Sequence, residues 1–182
     1  MKNLLDIYKS MALSNFDLIK LVGGNANVEV YPEIHKYDTI DELLGPHDAC
    51  FLLFETEPKF GHWCAIIKYG NTVEFFDPYS GYPDNVLEFI PEDFKNESNQ
   101  NYPYLTELLY ECPYDIEFND HKYQKKSNKI NTCGRHCACR ILFKNLDLKE
   151  YDSMIKTLSK NLKTDPDGVV TTITAELSEG KI

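Results

Sequence analysis

Apolar side chains in the middle of the chain fall into short runs of the length that strands have. Three such runs cover residues 48–54, 63–69 and 72–77, and the last two are separated by Gly70-Asn71. A two-residue break of this kind between strand-like runs is typical of a tight hairpin. Residues 114–118 alternate polar and apolar positions and predict a further strand. The pattern therefore predicts a sheet built around one hairpin.

Helical spacing of apolar residues flanks this predicted sheet. Residues 1–45 carry short helical patterns with a break at Gly23-Gly24, and three leucines within 105–109 indicate another short helix. Residues 133–143 and 148–162 have the spacing of longer helices. Asp165-Pro166 combines an N-cap residue with a proline at the first helical position and predicts a last helix.

The organisation of the chain follows from these patterns. No repeat, low-complexity tract or linker interrupts it, while Pro, Gly, Asn and Asp predict a loop over 78–101. We expect a single α+β domain over residues 1–182. Within it, residues 1–45 form an N-terminal packing or lid segment, residues 48–145 the core, and residues 146–182 the C-terminal helices.

The composition is that of a globular protein with an acidic surface. The 182 residues include 12 Tyr, 10 Phe and 1 Trp, and 19 basic residues against 29 acidic ones give a net charge of −10. Such a surface repels polyanions and argues against a nucleic-acid groove. No apolar stretch reaches the roughly 18–20 residues of a membrane span, and Asp6 interrupts the start where a signal peptide continues apolar. We expect a soluble protein that is not secreted and has no membrane partner.

The predicted hairpin places a histidine beside an aspartate. If Gly70-Asn71 forms the turn, Cys64 lies opposite Asp77, and His62 is the diagonal neighbour of Asp77 on the same face. Diagonal positions lie roughly 7–8 Å apart at Cα, within reach of an imidazole and a carboxylate. The carboxylate can then hold one ring nitrogen while the other takes a proton from a nucleophile. The alternative is a buried histidine that serves packing alone.

A cysteine opens the helix predicted over 133–143. Free N–H groups and the positive end of the helix dipole favour a thiolate there, which would make Cys133 a nucleophile. Cys137 falls one turn deeper on the same side, where burial would make it inert. Without an export signal, all six cysteines are expected to be reduced thiols. Two alternatives stay open: thiols that only fill the core, and a metal site made from Cys133, Cys137, Cys139 and His136.

The order histidine, acid, cysteine comes with a motif around each residue. The motifs are Gly61-His62-Trp63, then residues 75–81 (Phe-Phe-Asp-Pro-Tyr-Ser-Gly), and Tyr123-Gln124 ahead of residues 132–137 (Thr-Cys-Gly-Arg-His-Cys). Over residues 48–145 the chain resembles the adenovirus-type maturation proteases (adenain), and above all the capsid-maturation cysteine proteases of virophages and polinton-like viruses. The same clan contains the proteases that remove SUMO and other ubiquitin-like modifiers. The resemblance implies a papain-like cysteine peptidase fold of the adenain type, with a central mixed β-sheet packed on an active-site helix.

The resemblance also implies a role for four residues. His62 would be the general base, Asp77 its orienting acid and Cys133 the nucleophile. Gln124 would supply its side-chain amide to the oxyanion hole, together with the backbone N–H of Cys133. Gln124 lies nine residues before Cys133, slightly farther than in adenain.

By the same resemblance, the substrates are viral capsid or other structural precursor polypeptides. The family cuts beside small residues, often Gly, and Gly61, Trp63 and Gly134 suit a narrow channel for an extended peptide. The reaction needs no cofactor and no metal, and we expect a monomer that acts in the virion or the host cytoplasm. Adenain is basic and is helped by DNA and a peptide cofactor, whereas this chain is acidic, so no DNA cofactor is expected.

Two other functions remain open at this point. The first is a protease specific for ubiquitin-like modifiers, which would need a surface for a folded partner. The second is a module without enzymatic activity, in which the thiols are structural or bind a metal. Stoichiometric zinc would favour that module, and chelator-resistant activity that is lost on alkylation would favour the protease.

Overall fold

The computed structural model describes residues 3–178, in which helices surround one five-stranded sheet. The elements in chain order are α1 (Leu4–Ser10), α2 (Asn15–Leu21), β1 (Asn27–Val30), α3 (Ile40–Leu44), β2 (Ala49–Glu57), β3 (Phe60–Tyr69), β4 (Thr72–Phe76), α4 (Glu92–Glu97), α5 (Tyr104–Glu111), β5 (Asp115–Phe118), α6 (Cys133–Leu142), α7 (Leu148–Leu162) and α8 (Pro166–Ser178). Short 3₁₀ helices cover Tyr31–Lys36, Gly45–His47 and Asn85–Phe89.

The sheet is mixed, and its strands lie in sequence order from β1 to β5. The two inner pairs, β2 with β3 and β3 with β4, are antiparallel, whereas the edge strands β1 and β5 pair in parallel with β2 and β4. Tyr69 lies opposite Thr72 and Ala65 opposite Phe76, so the predicted hairpin register is confirmed. The mixed α+β class expected from the sequence is confirmed as well.

Most predicted elements are found close to their expected positions. The four predicted strands correspond to β2, β3, β4 and β5, and the two longer predicted helices correspond to α6 and α7. The predicted cap of α8 is confirmed, because the Asp165 carboxylate accepts the N–H of Gly168 at 2.8 Å. None of the helices between residues 3 and 178 combines the length and the apolar character that crossing a membrane requires.

The structure corrects the expectation for two segments. The pattern over residues 1–45 predicts only helices and loops, but Asn27–Val30 forms β1 at the sheet edge. Four residues with only Val28 and Val30 apolar are too short for a periodic signal, so pairing with β2 decides their conformation. In addition, α4 lies within the predicted loop 78–101. A helix of one or two turns depends on packing for its stability rather than on its own sequence.

Both faces of the sheet are covered, and each has its own apolar cluster. Phe51 and Leu53 enter the cluster beneath α6, α7 and α8, whereas Cys50 and Leu52 enter the cluster with α3 and α5. This alternation follows from the two-residue period of a strand. Because neither face meets water, the first six residues of β2 are all buried and read as one apolar run.

A buried ion pair holds α6 on the sheet. Arg140 of α6 donates through Nε and Nη2 to the two carboxylate oxygens of Glu74 in β4, each at 2.8 Å, and both side chains are fully buried. Arg140 also donates to the carbonyl oxygens of Phe143 and Leu146 at 2.9 Å. A bidentate pair with its other donors satisfied restricts the orientation of the helix. The C-terminal half of α6 is thereby held on β4.

The N-terminal segment packs against the C-terminal half of the chain. Helices α1 and α2 contact α8, and α2 also contacts α6. The backbone N–H of Asn131 donates to Lys9 O at 2.8 Å, and its side-chain amide donates to Ser10 O at 2.9 Å. The end of α1 is therefore tied to the loop that leads into α6.

Candidate active site

The start of β3 and the end of β4 bring a histidine and an aspartate together. His62 Nε2 lies 2.7 Å from Asp77 Oδ1, which also accepts the backbone N–H of Tyr79 at 2.8 Å. The Tyr79 ring stacks on the imidazole, with 4.8 Å between the ring centroids and 16° between the planes. Asp77 is buried, and His62 is partly exposed. With one face covered and Nε2 occupied, the imidazole keeps Nδ1 for a further partner.

That partner is the thiol of Cys133, the first residue of α6. Burial alone would raise the pKa of the Cys133 thiol, but the hydrogen bond and positive charge of His62 and the backbone N–H groups of Trp63 and Gly134 lower it below its ordinary value. Burial alone would lower the pKa of His62, but hydrogen bonds to Asp77 and Cys133 raise it to about 10. The two shifts favour a thiolate beside an imidazolium near neutral pH.

The other thiols of α6 are chemically different from Cys133. Cys137 and Cys139 are fully buried, and burial raises the pKa of Cys137 well above its ordinary value and that of Cys139 to about 12. The Cys137 thiol donates to Trp63 O at 3.3 Å. Both side chains are therefore protonated core residues.

One group of side chains has the spacing that a metal ion requires, and it is not the group considered from the sequence. Within residues 3–178, the possible ligand atoms of His62, Cys64 and Asp77 lie within 4.8 Å of one another, and no group forms around Cys139 and His136. Burial raises the pKa of the Cys64 thiol well above its ordinary value, so that thiol stays protonated. His62 and Asp77 are already hydrogen-bonded to each other, which suits proton transfer better than metal binding.

Two neighbouring residues are buried in the loop before α6, most of which is exposed. Tyr123 and Gln124 are only 2% and 4% exposed, and the backbone N–H groups of both donate to Pro78 O at 3.0 Å. The structure thus brings Gln124 to the end of β4, where Asp77 lies. Gln124 Nε2 donates to Ile130 O over a long 3.4 Å, and its Oε1 has no partner among the described residues. The amide is buried and weakly held.

A groove of about 540 Å³ is lined in part by Cys133. One wall is formed by residues 12–16 of the N-terminal segment, and the other wall by parts of β1, β2 and the start of β3. Phe16 and Phe60 line it and are 80% and 47% exposed, whereas Trp63, which also lines it, is buried. The volume of the groove lies within the range of about 300–1,000 Å³ that is usual for ligand pockets.

The three residues predicted to bind substrate have different surroundings. Trp63 and Gly61 line the groove. A Cβ atom at Gly61 would lie 1.9 Å from Phe54 O, so the glycine permits a close approach of β2 and β3. Gly134 is buried, and a Cβ there would meet Leu18 at 3.1 Å and Trp63 at 3.4 Å, so it contacts protein side chains rather than the groove.

Comparison with known proteins identifies a close relative. No protein-family model matches the chain. It is 45% identical over 171 residues to the protein named Uncharacterized protein V9 of Sputnik virophage, and the alignment covers 93% of this chain and 98% of that protein. The chain belongs to the V9 family of virophage proteins. The V9 alignment covers nearly the whole length of both chains.

Solved structures with a similar course of the chain are far more distant from this V9-family member. The central domain of the uncharacterized Lpg1148 protein from Legionella pneumophila has a TM-score of 0.44 at 16% identity, over 94% of this chain and 99% of that one. The SUMO protease Ulp1 with its catalytic cysteine oxidized to a sulfenic acid has a TM-score of 0.40 at 14% identity, over 94% and 80%.

The structure adds two residues that the sequence pattern does not single out. Asn119 Oδ1 accepts the backbone N–H of Asp77 at 2.9 Å, and its Nδ2 donates to Asp77 O at 2.7 Å and to His121 O at 2.9 Å. Tyr79 covers the imidazole face of His62. The signal that could have found Asn119 is a polar residue directly after β5, because β5 is parallel to β4 and both strands end at the same sheet edge.

Proposed function

We propose that this chain is a cysteine endopeptidase of the papain-like, adenain type. The observation that carries the proposal is the chain of contacts from Asp77 through His62 to Cys133, which lines a groove. The lowered pKa of Cys133 and the raised pKa of His62 support a thiolate that is ready to attack. The order of the three residues supports the adenain type.

The proposed reaction uses the His62–Asp77 pair and the Cys133 thiol, which are held in place, and the Gln124 amide, which turns toward the substrate. The Cys133 thiolate attacks the scissile carbonyl carbon, and the resulting oxyanion accepts hydrogen bonds from the Cys133 backbone N–H and Gln124 Nε2. The long contact to Ile130 leaves the Gln124 amide free to turn toward the oxyanion. His62 protonates the leaving amine, which departs as the acyl-thioester forms, and then deprotonates the water that releases the acid. One such oxyanion donor is worth about 2.7–4 kcal/mol in a serine protease.

The proposed substrates are structural precursor proteins of a virus, cut beside small residues during particle maturation. Membership in a virophage protein family supports the viral setting. The open groove supports an unfolded stretch of polypeptide as the substrate. Trp63 beside the thiol favours small residues next to the scissile bond, because a bulky side chain there would contact the indole.

The test is proteolysis followed by identification of the new chain ends. Purified protein is incubated with virophage structural precursors and, in parallel, with a precursor of a ubiquitin-like modifier, and new termini are found by mass spectrometry. Cys133→Ala is the matched control, since it removes the nucleophile and leaves the groove. We expect new termini in the structural precursors that are absent with the control and persist in chelator.

The other outcomes separate the competing functions. Cleavage confined to the ubiquitin-like precursor would replace the proposed substrate class with modifier removal. No cleavage of any protein, together with stoichiometric zinc bound through the thiols, would contradict the enzyme and favour the metal-binding module.

A further inference from the structure

A buried aspartate of α8 lies behind the start of α6. Asp167 is fully buried, and its Oδ1 accepts hydrogen bonds from Thr132 Oγ1 at 2.5 Å and from His136 Nε2 at 3.0 Å. Its Oδ2 accepts the backbone N–H of Lys125 at 3.1 Å. Burial opposes the charged form, but the bonds from His136, Thr132 and Lys125 lower the pKa of Asp167 below its ordinary value. The Asp167 side chain is therefore an ionised carboxylate that accepts three hydrogen bonds.

The partners of Asp167 are the sequence neighbours of the two proposed oxyanion donors. Thr132 directly precedes Cys133, whose backbone N–H is one donor, and Lys125 directly follows Gln124, whose amide is the other. Thr132 is the N-cap residue of α6, yet its side chain makes no capping bond, and its hydroxyl donates to Asp167. The capping interaction, usually worth about 0.5–2 kcal/mol, is therefore absent at this helix start, where the hydroxyl bonds to a residue 35 positions away.

We propose that Asp167 is a positioning residue that fixes the two backbone segments from which the donors of the oxyanion hole extend. This inference rests on the proposed function, because it assigns Cys133 and Gln124 to that hole. Asp167 does not touch the thiol or the substrate groove, and acts through Thr132 and Lys125. The bond to His136 anchors the same carboxylate one turn further along α6.

Asp165 offers a matched comparison on the same helix. Its carboxylate forms ion pairs with Lys9 and Lys125 at 2.8 Å and caps α8 through Gly168. It therefore contributes to the stability of the same region without bonding to the residue before Cys133. The decrease in melting temperature caused by Asp165→Asn measures the loss of stability alone, with which Asp167→Asn can be compared.

The test compares two reactions of the Cys133 thiolate in the full-length protein. In acylation by p-nitrophenyl acetate, Sγ bonds to the carbonyl carbon, the aryl C–O bond breaks, p-nitrophenolate leaves, and a transient oxyanion needs the hole. In alkylation by iodoacetamide, Sγ displaces iodide at a saturated carbon and no oxyanion forms. Both rates are read at Cys133 by peptide mass spectrometry, with Cys112 as a partly exposed reference thiol.

We expect Asp167→Asn to lower Cys133 acylation tenfold or more while alkylation stays within twofold of wild type. Thr132→Val removes only the hydroxyl that donates to Asp167 and perturbs the fold less than Asp167→Asn does. It should also lower the acylation rate of Cys133. Thr132→Ser keeps the hydroxyl and should acylate at the wild-type rate. Asp165→Asn should lower the melting temperature without changing the ratio of the two rates.

Two results would overturn different parts of this account. Equal acylation in wild type, Asp167→Asn and Thr132→Val, with Cys133 reacting faster than Cys112 throughout, would reject the positioning role and leave the proposed function intact. Wild-type Cys133 that acylates no faster than Cys112 would reject the proposed function itself.

Discussion

Replacing Cys133 with alanine removes the proposed nucleophile and leaves the packing around it nearly unchanged, because the side chain is only partly buried. We expect Cys133→Ala to abolish hydrolysis and to unfold at the wild-type temperature. Cys137→Ala empties a fully buried position and should cost about 1 kcal/mol of stability while retaining turnover. Turnover and thermal unfolding of both variants provide the measurement. Near-normal turnover by Cys133→Ala would contradict the mechanism.

The paired pKa shifts of Cys133 and His62 predict a particular pH dependence. The thiolate forms below the ordinary thiol pKa, and the imidazolium persists until the pH approaches about 10, so alkylation of Cys133 should already be fast at pH 7. In His62→Ala, burial is no longer opposed by a neighbouring charge, and the pKa of Cys133 should rise. We expect Cys133 of His62→Ala to be alkylated at least tenfold more slowly than Cys133 of the wild type at pH 7. The measurement is the rate of iodoacetamide labelling at a series of pH values between 5 and 10. An unchanged profile would show that His62 does not set the state of the thiol.

Asp77 orients His62 through an oxygen that an asparagine can also present. Because Oδ1 accepts from His62 and Tyr79, Asp77→Asn can keep both bonds and loses mainly the negative charge. We expect a loss of kcat of about ten- to a hundredfold, against roughly 10⁴ for the same change in a serine triad. Asp77→Ala, which removes the acceptor, should lose more. The comparison of kcat between the two variants is the check, and equal losses would contradict an orienting role.

At the scale of elements, the β2–β3 pair depends on the glycine next to His62. A Cβ at Gly61 would lie 1.9 Å from Phe54 O, so Gly61→Ala must displace the start of β3. We expect a loss of about 1–3 kcal/mol of stability, as for other overpacked sites, together with lower kcat because His62 moves with the strand.

The matched control for this substitution lies at the other end of the same strand. Gly70 in the hairpin turn has φ +55 and open space around its Cα, and asparagine tolerates this conformation. Gly70→Asn should therefore change stability and kcat little. The measurements are the free energy of unfolding in denaturant and the kcat of Gly61→Ala and Gly70→Asn. A loss in Gly61→Ala alone would show that the effect is steric and is not caused by replacing any glycine of this hairpin.

At the scale of the whole molecule, the net charge of −10 predicts how the protein responds to DNA. The basic cluster at Lys122, Lys125, Lys126 and Lys129 is partly engaged within the chain, since Lys125 pairs with Asp165 and Lys126 lies over the rings of Tyr79 and Phe89. Few charges remain to neutralise phosphates. Peptide hydrolysis should not change when duplex DNA is added at about 0.15 M salt, where the Debye length is about 8 Å. A tenfold rise in rate would show that this cluster binds nucleic acid.

The features that sequence reasoning predicts well are local ones. A two-residue turn and the alternation of apolar positions determine the register of β3 and β4, and with it the meeting of His62 and Asp77. The spacing of apolar residues after Cys133 is enough to predict that this residue opens a helix. Each of these conclusions needs only neighbours within about twenty residues, because turn geometry and strand or helix period are properties of short segments.

The sequence by itself therefore determined the hairpin, the major helices and the residues that carry the proposed chemistry. Only the tertiary structure decided that Asn27–Val30 is a strand, that Asn119 holds Asp77, and that Asp167 holds Thr132 across 35 positions of sequence. The physical reason is that an isolated Asn or Asp reads as a loop or cap residue, since its side chain satisfies nearby backbone groups equally well. Its actual partners are chosen when the helices close over the sheet and exclude water, because each buried polar atom must then bond to whatever that packing brings within reach.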